Sequence, residues 1–269
     1  MVKSNFHTHT VFCDGKNTVE EMVVTAIDKG FVALGFSGHG PLALCSQWSM
    51  TEERQLAYQK AVMQAKEKYR NKIKIYCGIE QDVFSLKLAF TPEYVIGSAH
   101  RIKVKGEWLD VDQSAKNTKT FLKEIYNDNF DAYAKDYYQV ATLSVESVNA
   151  DVIGHIDLLT KFNEVLNLKL TDVYYEYAEN AIKKLVKFGK PFEINTGAIG
   201  RGYRTSPYPD EKILKMIYNL GGKIMINTDC HNKDFLDCGL DLAEKLARRV
   251  GFSEYAVIGD KGVEYVKFE

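Results

Sequence analysis

Seven short apolar or aromatic runs, at residues 5–9, 33–37, 73–79, 94–98, 152–156, 191–195 and 223–227, each contain a histidine or a carboxylate or are followed by one within two residues. Five of the six histidines of the chain, His7, His9, His39, His100 and His155, fall in these places, and His231 follows Asp229 just beyond the seventh run. Histidines that only filled a core or lined a helix would scatter without regard to context. Between the runs lie helical patterns. Thr18 and Glu21 form a capping-box signature. Residues 51–70, 171–188, 210–220 and 240–250 carry apolar residues at helical spacing, with Gly189 placed to end the second of these. Strands that alternate with helices predict βαβ units and a parallel sheet. Seven such units, with an eighth run at 255–259, favour a closed α/β barrel, and 269 residues suit one.

In such barrels the active site forms where the strands end. The ligand-type residues therefore converge on one face, although they span most of the chain. The pair His7 and His9 lies two apart on a strand, so both imidazoles point the same way. His39 follows the second strand, Glu80 the third, His100 the fourth, and His155 ends the fifth. Glu193 and Asn195 end the sixth, and Asp229 and His231 follow the seventh. Mixed imidazole and carboxylate ligation suits zinc, iron or manganese and is poor for calcium. His7, His9, Asp14, His39, Glu80, His100, His155, Asp229 and His231 make nine candidate ligands. One catalytic zinc takes about three protein ligands, so nine suit three divalent ions. Cys13 and Cys230 neighbour ligands and read as small buried thiols.

Composition narrows the class. The formal net charge is −1, which offers no electrostatic case for nucleic acid or a membrane surface. No run approaches the ~18 apolar residues that span a bilayer, and the first residues show no signal-peptide core. Five irregularly spaced cysteines, Cys13, Cys45, Cys77, Cys230 and Cys238, argue against a disulfide framework. The expectation is a cytoplasmic enzyme built as one barrel domain over residues 1–269. An elaborated insertion around 101–149 would cover the barrel mouth as a loop plus one or two helices.

The motifs His7-Thr8-His9 with Asp14, Gly38-His39, Gly78-Ile79-Glu80, Gly97-Ser98-Ala99-His100, Gly154-His155-Ile156-Asp157 and Asp229-Cys230-His231 resemble those of the polymerase-and-histidinol-phosphatase superfamily of metal-dependent phosphoesterases. They cover the chain end to end. The resemblance implies a distorted (β/α)7 barrel. Gly154-to-Lys161, Glu193-Ile194-Asn195-Thr196, Gly200-Arg201-Gly202 and Pro207-Tyr208-Pro209 are most similar to the branch that acts on L-histidinol phosphate in histidine biosynthesis.

Carried over by position, the family pattern implies one metal on His7, His9, Glu80 and Asp229. A second would share Glu80 and add His100 and His155, and a third would take Asp14, His39 and His231. Many members have histidine where this chain has Asp14. Glu193 resembles outer support for the ligands. The implied chemistry is attack on phosphorus by a hydroxide between two metals, with Asp229, Glu80 and His231 as the catalytic set. Arg201 and Lys161 are the candidate phosphate clamp, and Glu107 and Trp108 are candidates to meet the imidazole and amine of the substrate. Three alternatives stand beside this reading. One is a phosphoesterase of the same superfamily acting on phosphotyrosine or nucleotides. Another is an amidohydrolase, which typically uses a bridging lysine where this chain has Glu80. The last is a non-catalytic module that inherited the fold.

Overall fold

The computed structural model describes residues 2–43 and 48–269; Cys45 lies outside them. The strands are β1 Ser4–Asn5, β2 Ala33–Phe36, β3 Lys74–Cys77, β4 Ile79–Asp82, β5 Val95–Ser98, β6 Arg101–Val104, β7 Glu107–Asp110, β8 Val152–Ile153, β9 Phe192–Asn195, β10 Ile224–Asn227, β11 Glu254–Gly259 and β12 Gly262–Lys267. The α-helices are α1 Val19–Asp28, α2 Glu52–Tyr69, α3 Ala115–Tyr126, α4 Phe130–Ala141, α5 Asn163–Leu166, α6 Asp172–Leu185, α7 Gly197–Gly200, α8 Glu211–Asn219 and α9 Leu240–Val250.

The main helices begin where the sequence offers a cap. The Thr18 hydroxyl accepts from Glu21 N while the Glu21 carboxylate accepts from Thr18 N, a complete capping box. Thr51, Thr171 and Asp210 cap α2, α6 and α8 through the side chain alone, each accepting from the backbone N–H three residues on. Past α6 the chain tightens into a 3-10 turn and leaves it at Gly189, whose φ of 66° is the left-handed conformation expected of it.

Pairing in the ring is parallel throughout. β1 pairs with β2 and β2 with β3; β4 pairs with β5, β5 with β8, β8 with β9 and β9 with β10. β3 and β4 are two halves of one run, broken at Gly78. A Cβ there would lie 2.3 Å from the Tyr94 ring, so only glycine fits. The ladder thus splits into a sheet of β1, β2 and β3 and a second sheet running from β4 to β12. Isolated bridges join the two at the C-terminal end, His39 with Glu80 and Thr8 with Cys230. At the second bridge His9 N donates to Cys230 O and Cys230 N donates to His7 O. The result is a distorted (β/α)7 barrel.

The run at 255–259 is not an eighth ring member. β11 meets β10 at Met225 and Ala256 and turns back into antiparallel β12. The bridge that closes the ring pairs the segment after β1 with the segment after β10, Thr8 with Cys230. Residues on the strands or directly beside them, among them Phe6, Tyr76, Tyr94, Ile96, Val152 and Met225, form one apolar cluster inside the ring. A larger apolar core lies between the ring and its helices.

The segment 101–149 divides in two. β6 and β7 form a hairpin that begins at the barrel mouth. α3 and α4 follow, and α4 packs on α6. Among the described residues no helix is long and apolar enough to cross a membrane.

Candidate metal centre

The turns that leave the strands bring all nine expected ligands together. Glu80, at the joint of the two sheets, is the centre of the group. Its Oε2 lies 3.2 Å from His7 Nε2, 3.5 Å from His9 Nε2 and 3.0 Å from His39 Nδ1. Its Oε1 lies 3.3 Å from His100 Nε2 and 3.0 Å from His155 Nε2. Asp229 Oδ1 stands 3.7 Å from His7 Nε2 and 3.3 Å from His9 Nε2. Asp14, on the rim, lies 3.5 Å from His39 Nε2 and 3.2 Å from His231 Nε2.

Among the described residues, four subsets have donor atoms mutually within 4.8 Å: His9, Asp14, His39 and His231; His7, His155 and Asp229; His7, His9 and Glu80; and His39, Glu80 and His100. These subsets add three associations to the sequence-based partition, one of them His39 with Glu80 and His100. His9 also reaches the outer group, because its ring stacks on His231 with centroids 4.0 Å apart. His155 groups with His7 and Asp229, because its ring stacks on His7 at 5.7 Å.

The residues pass a direct test of fit to metal. Among the described residues, His7 Nε2, His9 Nε2 and Glu80 Oε2 are buried without a hydrogen-bond partner, as are His100 Nδ1 and His155 Nδ1. Leaving such groups unmatched costs about 1–3 kcal/mol each. His7 Nε2, His9 Nε2 and Glu80 Oε2 also belong to one candidate ligand group. A cation satisfies both imidazole lone pairs and the carboxylate at once.

The electrostatics show the same demand for positive charge. Burial alone would raise the Glu80 carboxyl, but the His7, His100 and His39 imidazoles overcome it and hold it well below the usual range. Burial is likewise outweighed at Asp229 by Arg201 and His7. Burial disfavours the charged form of His7, yet Glu193, Glu80 and Asp229 carry its pKa well above the usual value. At His9 burial wins, reinforced by His231 and His39, and the ring stays neutral.

Outer contacts aim the ligands. Glu193 is fully buried; its Oε1 sits 2.7 Å from His7 Nδ1 and accepts from Asn227 Nδ2, while its Oε2 accepts from His155 N and Asn195 Nδ2. A proton held on His7 Nδ1 turns the lone pair of Nε2 toward Glu80. Ser98 donates to Glu80 Oε1 at 2.6 Å, and Asp82 accepts from His100 N at 2.7 Å. Asp229 has φ of 46°, a left-handed conformation uncommon outside glycine, here at a residue of the cluster.

Above the cluster opens a cavity of about 550 Å³, lined in part by Trp48, Asp110, Asp112, Lys161, Arg201 and Tyr203. Neither expected cation is a solvated surface charge. Arg201 Nη2 lies 3.3 Å from Asp229 Oδ1 and 2.6 Å from His231 Nδ1. Lys161 is buried and donates to Asp112 Oδ2 at 2.7 Å. Trp108 and Glu107 do not line the cavity. Trp108 instead packs on Phe84, with Arg101 and Lys103 over its ring, on the outside of the hairpin. The aromatic wall is Trp48, whose ring lies 4.7 Å from His39 and 5.8 Å from His100. No motif marked Trp48 in the sequence. Asp110 and Asp112 lie in the insertion at 101–149 that was expected to cover the barrel mouth.

A barrel whose strand ends gather six histidines and three carboxylates defines a metal-dependent hydrolase of the phosphoesterase type. The PHP domain model matches residues 5–197, and the chain belongs to the PHP domain family. A probable histidinol-phosphatase of Schizosaccharomyces pombe is 24% identical over 97% of this chain and 90% of its own length. Two solved structures share the fold. A histidinol phosphatase of Listeria monocytogenes superposes with a TM-score of 0.78 at 22% identity, covering 89% of this chain and 99% of its own. A histidinol phosphate phosphatase of Lactococcus lactis, complexed with zinc, L-histidinol and phosphate, gives 0.74 at 20% identity, covering 98% and 99%.

Proposed function

We propose that this chain is a metal-dependent phosphomonoesterase that hydrolyses L-histidinol phosphate to L-histidinol and phosphate. The observation that carries the reading is the buried nest of unmatched imidazole and carboxylate atoms beneath a cavity rimmed by Arg201 and Lys161. The names of the relatives support the choice of ester. His7, His9, His39, His100, His155, His231, Glu80, Asp14 and Asp229 would hold divalent ions, three being the number that nine ligands suit. Bound there, such ions would lower the pKa of water toward ~7 and offset the charge of the phosphate oxygens.

The chain's own groups do the rest. Asp229, kept ionised by Arg201 and His7, is an acceptor only and orients the attacking water through its carboxylate. Arg201 and Lys161 hold the phosphate oxygens, as paired donors do well. For His231 to ligate through Nε2, its Nδ1 must carry a proton and donate to Asp229 O, 3.0 Å away. That tautomer releases Arg201 from its contact with Nδ1 and points it into the cavity. Trp48 offers a face to the imidazole, and Asp110 and Asp112 offer charge to the amine.

The test is phosphate release from L-histidinol phosphate by protein of known metal content, with phosphotyrosine and a short single-stranded oligonucleotide in parallel. A kcat/KM for histidinol phosphate far above the others supports the reading. Metal-dependent turnover without that preference removes the substrate and keeps the phosphoesterase. A chain that retains no metal and no turnover leaves only the fold.

A further inference from the structure

Arg204 is a buried cation outside the metal cluster and outside the cavity lining. It donates through Nη1 to Thr160 Oγ1 at 2.7 Å and to Thr160 O at 3.3 Å. Its guanidinium lies 5.5 Å from the Tyr208 ring, and among the described residues its Nε has no hydrogen-bond partner. Burying an incompletely satisfied cation costs several kcal/mol, and an apolar side chain of similar size would pack at lower cost. The Arg204 charge also offsets that of the buried Asp157 carboxylate, in the turn that carries His155.

Its neighbours explain the placement. Thr160 precedes Lys161, and Arg204 stands three residues after Arg201, so each of the two segments delivers one cation to the cavity. Two further contacts stitch the same segments together. The Tyr203 and Phe162 rings meet edge to face at 4.9 Å, and Thr205 N and Oγ1 donate to the Glu164 carboxylate. On the far side Thr160 Oγ1 donates to Asp157 O at 2.9 Å, in the turn that carries His155.

We infer that Arg204 is a positioning residue: by clamping Thr160 it sets the separation of Lys161 and Arg201, and so the spacing at which the two cations grip the phosphate group. The inference rests on the reading that these two cations hold the ester phosphate. Two of the three stitches flank Lys161: the ring contact ends on Phe162, and the Arg204 clamp, a hydrogen-bonded one, ends on Thr160. A cation misplaced by about 1 Å loses up to a hundredfold in rate or binding.

The experiment uses the metal-loaded protein, with inorganic phosphate as the probe in competition against the ester. Arg204→Met and Thr160→Val are each made alone and then together, with Lys161→Ala as the reference. Positioning predicts that both single variants keep their zinc content and most of their thermal stability. In both, the phosphate Ki and the ester KM rise together, by about tenfold, with a smaller change in kcat. It also predicts that the loss in the double variant falls short of the sum of the two singles, since both remove the bond from Arg204 to the Thr160 hydroxyl, and that Arg204→Lys restores part of the loss. A folded, metal-loaded Arg204→Met with parental phosphate Ki overturns the inference if Lys161→Ala raises that Ki. If Lys161→Ala leaves the Ki unchanged as well, the phosphate-clamp reading itself fails. Should Arg204→Met not fold, Thr160→Val carries the same decision, because it removes the hydroxyl and keeps the branched shape.

Discussion

Glu193→Gln isolates the outer support of the centre, because it changes one atom and almost no volume. The Glu193 carboxylate accepts four hydrogen bonds, two on each oxygen. Glutamine has one acceptor oxygen, so the amide must turn one way or the other. If its NH2 faces His155 N and Asn195 Nδ2, two buried donors lose their acceptor. Asn195 cannot flip in response, since its Oδ1 already accepts from Gly197 N at 2.8 Å. If the NH2 faces His7 instead, Nδ1 must become an acceptor and the ring proton moves to Nε2, the atom aimed at Glu80. Asn227 Nδ2 is then orphaned, because its Oδ1 is engaged by Phe6 N at 2.8 Å.

The first arrangement costs about 2–6 kcal/mol, at about 1–3 kcal/mol for each orphaned donor. The second spends the ligand itself. Substitutions at such outer partners reduce metal affinity by roughly 10–100-fold. The assay is zinc retained against graded chelator, with the thermal midpoint measured on the same samples. Glu193→Gln should release zinc at a lower chelator concentration, unfold earlier, or both. A variant with the parental chelator midpoint and the parental melting temperature would refute the role assigned to Glu193.

Three further outcomes are expected. Trp48→Ala should raise KM for L-histidinol phosphate by about 2–10-fold, the value of one aromatic contact, and leave an ester with no ring, such as glycerol phosphate, nearly unchanged; equal effects on both esters in steady-state kinetics would remove Trp48 from the imidazole subsite. Gly78→Ala should destabilise strongly, since its Cβ would lie 2.3 Å from a Tyr94 ring whose hydroxyl already bonds to Phe6 O and Phe36 O; overpacking of this kind costs about 1–3 kcal/mol, and an unchanged denaturant midpoint would contradict it. Burial pushes the Cys77 and Cys230 thiols up to about 12, so both stay protonated at pH 8. Of the four described cysteines, the partly exposed Cys238 should therefore be alkylated first in the native protein, which peptide mass mapping would show.

How far the site could be read from sequence depended on whether a residue's task was local. His7 and His9 share a face because strand periodicity dictates it, and Asp229 and Glu80 follow apolar runs whose ends must gather at one rim of a barrel. Thr18 and Glu21 specify a helix start from four residues. Trp48 carries no such local mark, for its place beside His39 is a contact between segments and not a property of its neighbours in the chain. Trp108 misled for the converse reason: the right composition at the right loop says nothing about which side of a hairpin faces the cavity.

Periodicity and residue chemistry, both properties of neighbours in the chain, determined by themselves a parallel α/β barrel with nitrogen and carboxylate ligands at its strand ends. Distances between segments remote in sequence were decided only by tertiary packing. It bridged the segment after β1 to the segment after β10, while the run at 255–259 pairs with β10 and turns back into β12. It grouped His155 with His7 and Asp229, and it brought Arg204 against Thr160. Such meetings depend on how side chains fill the space between elements, and no pattern within a single segment encodes that.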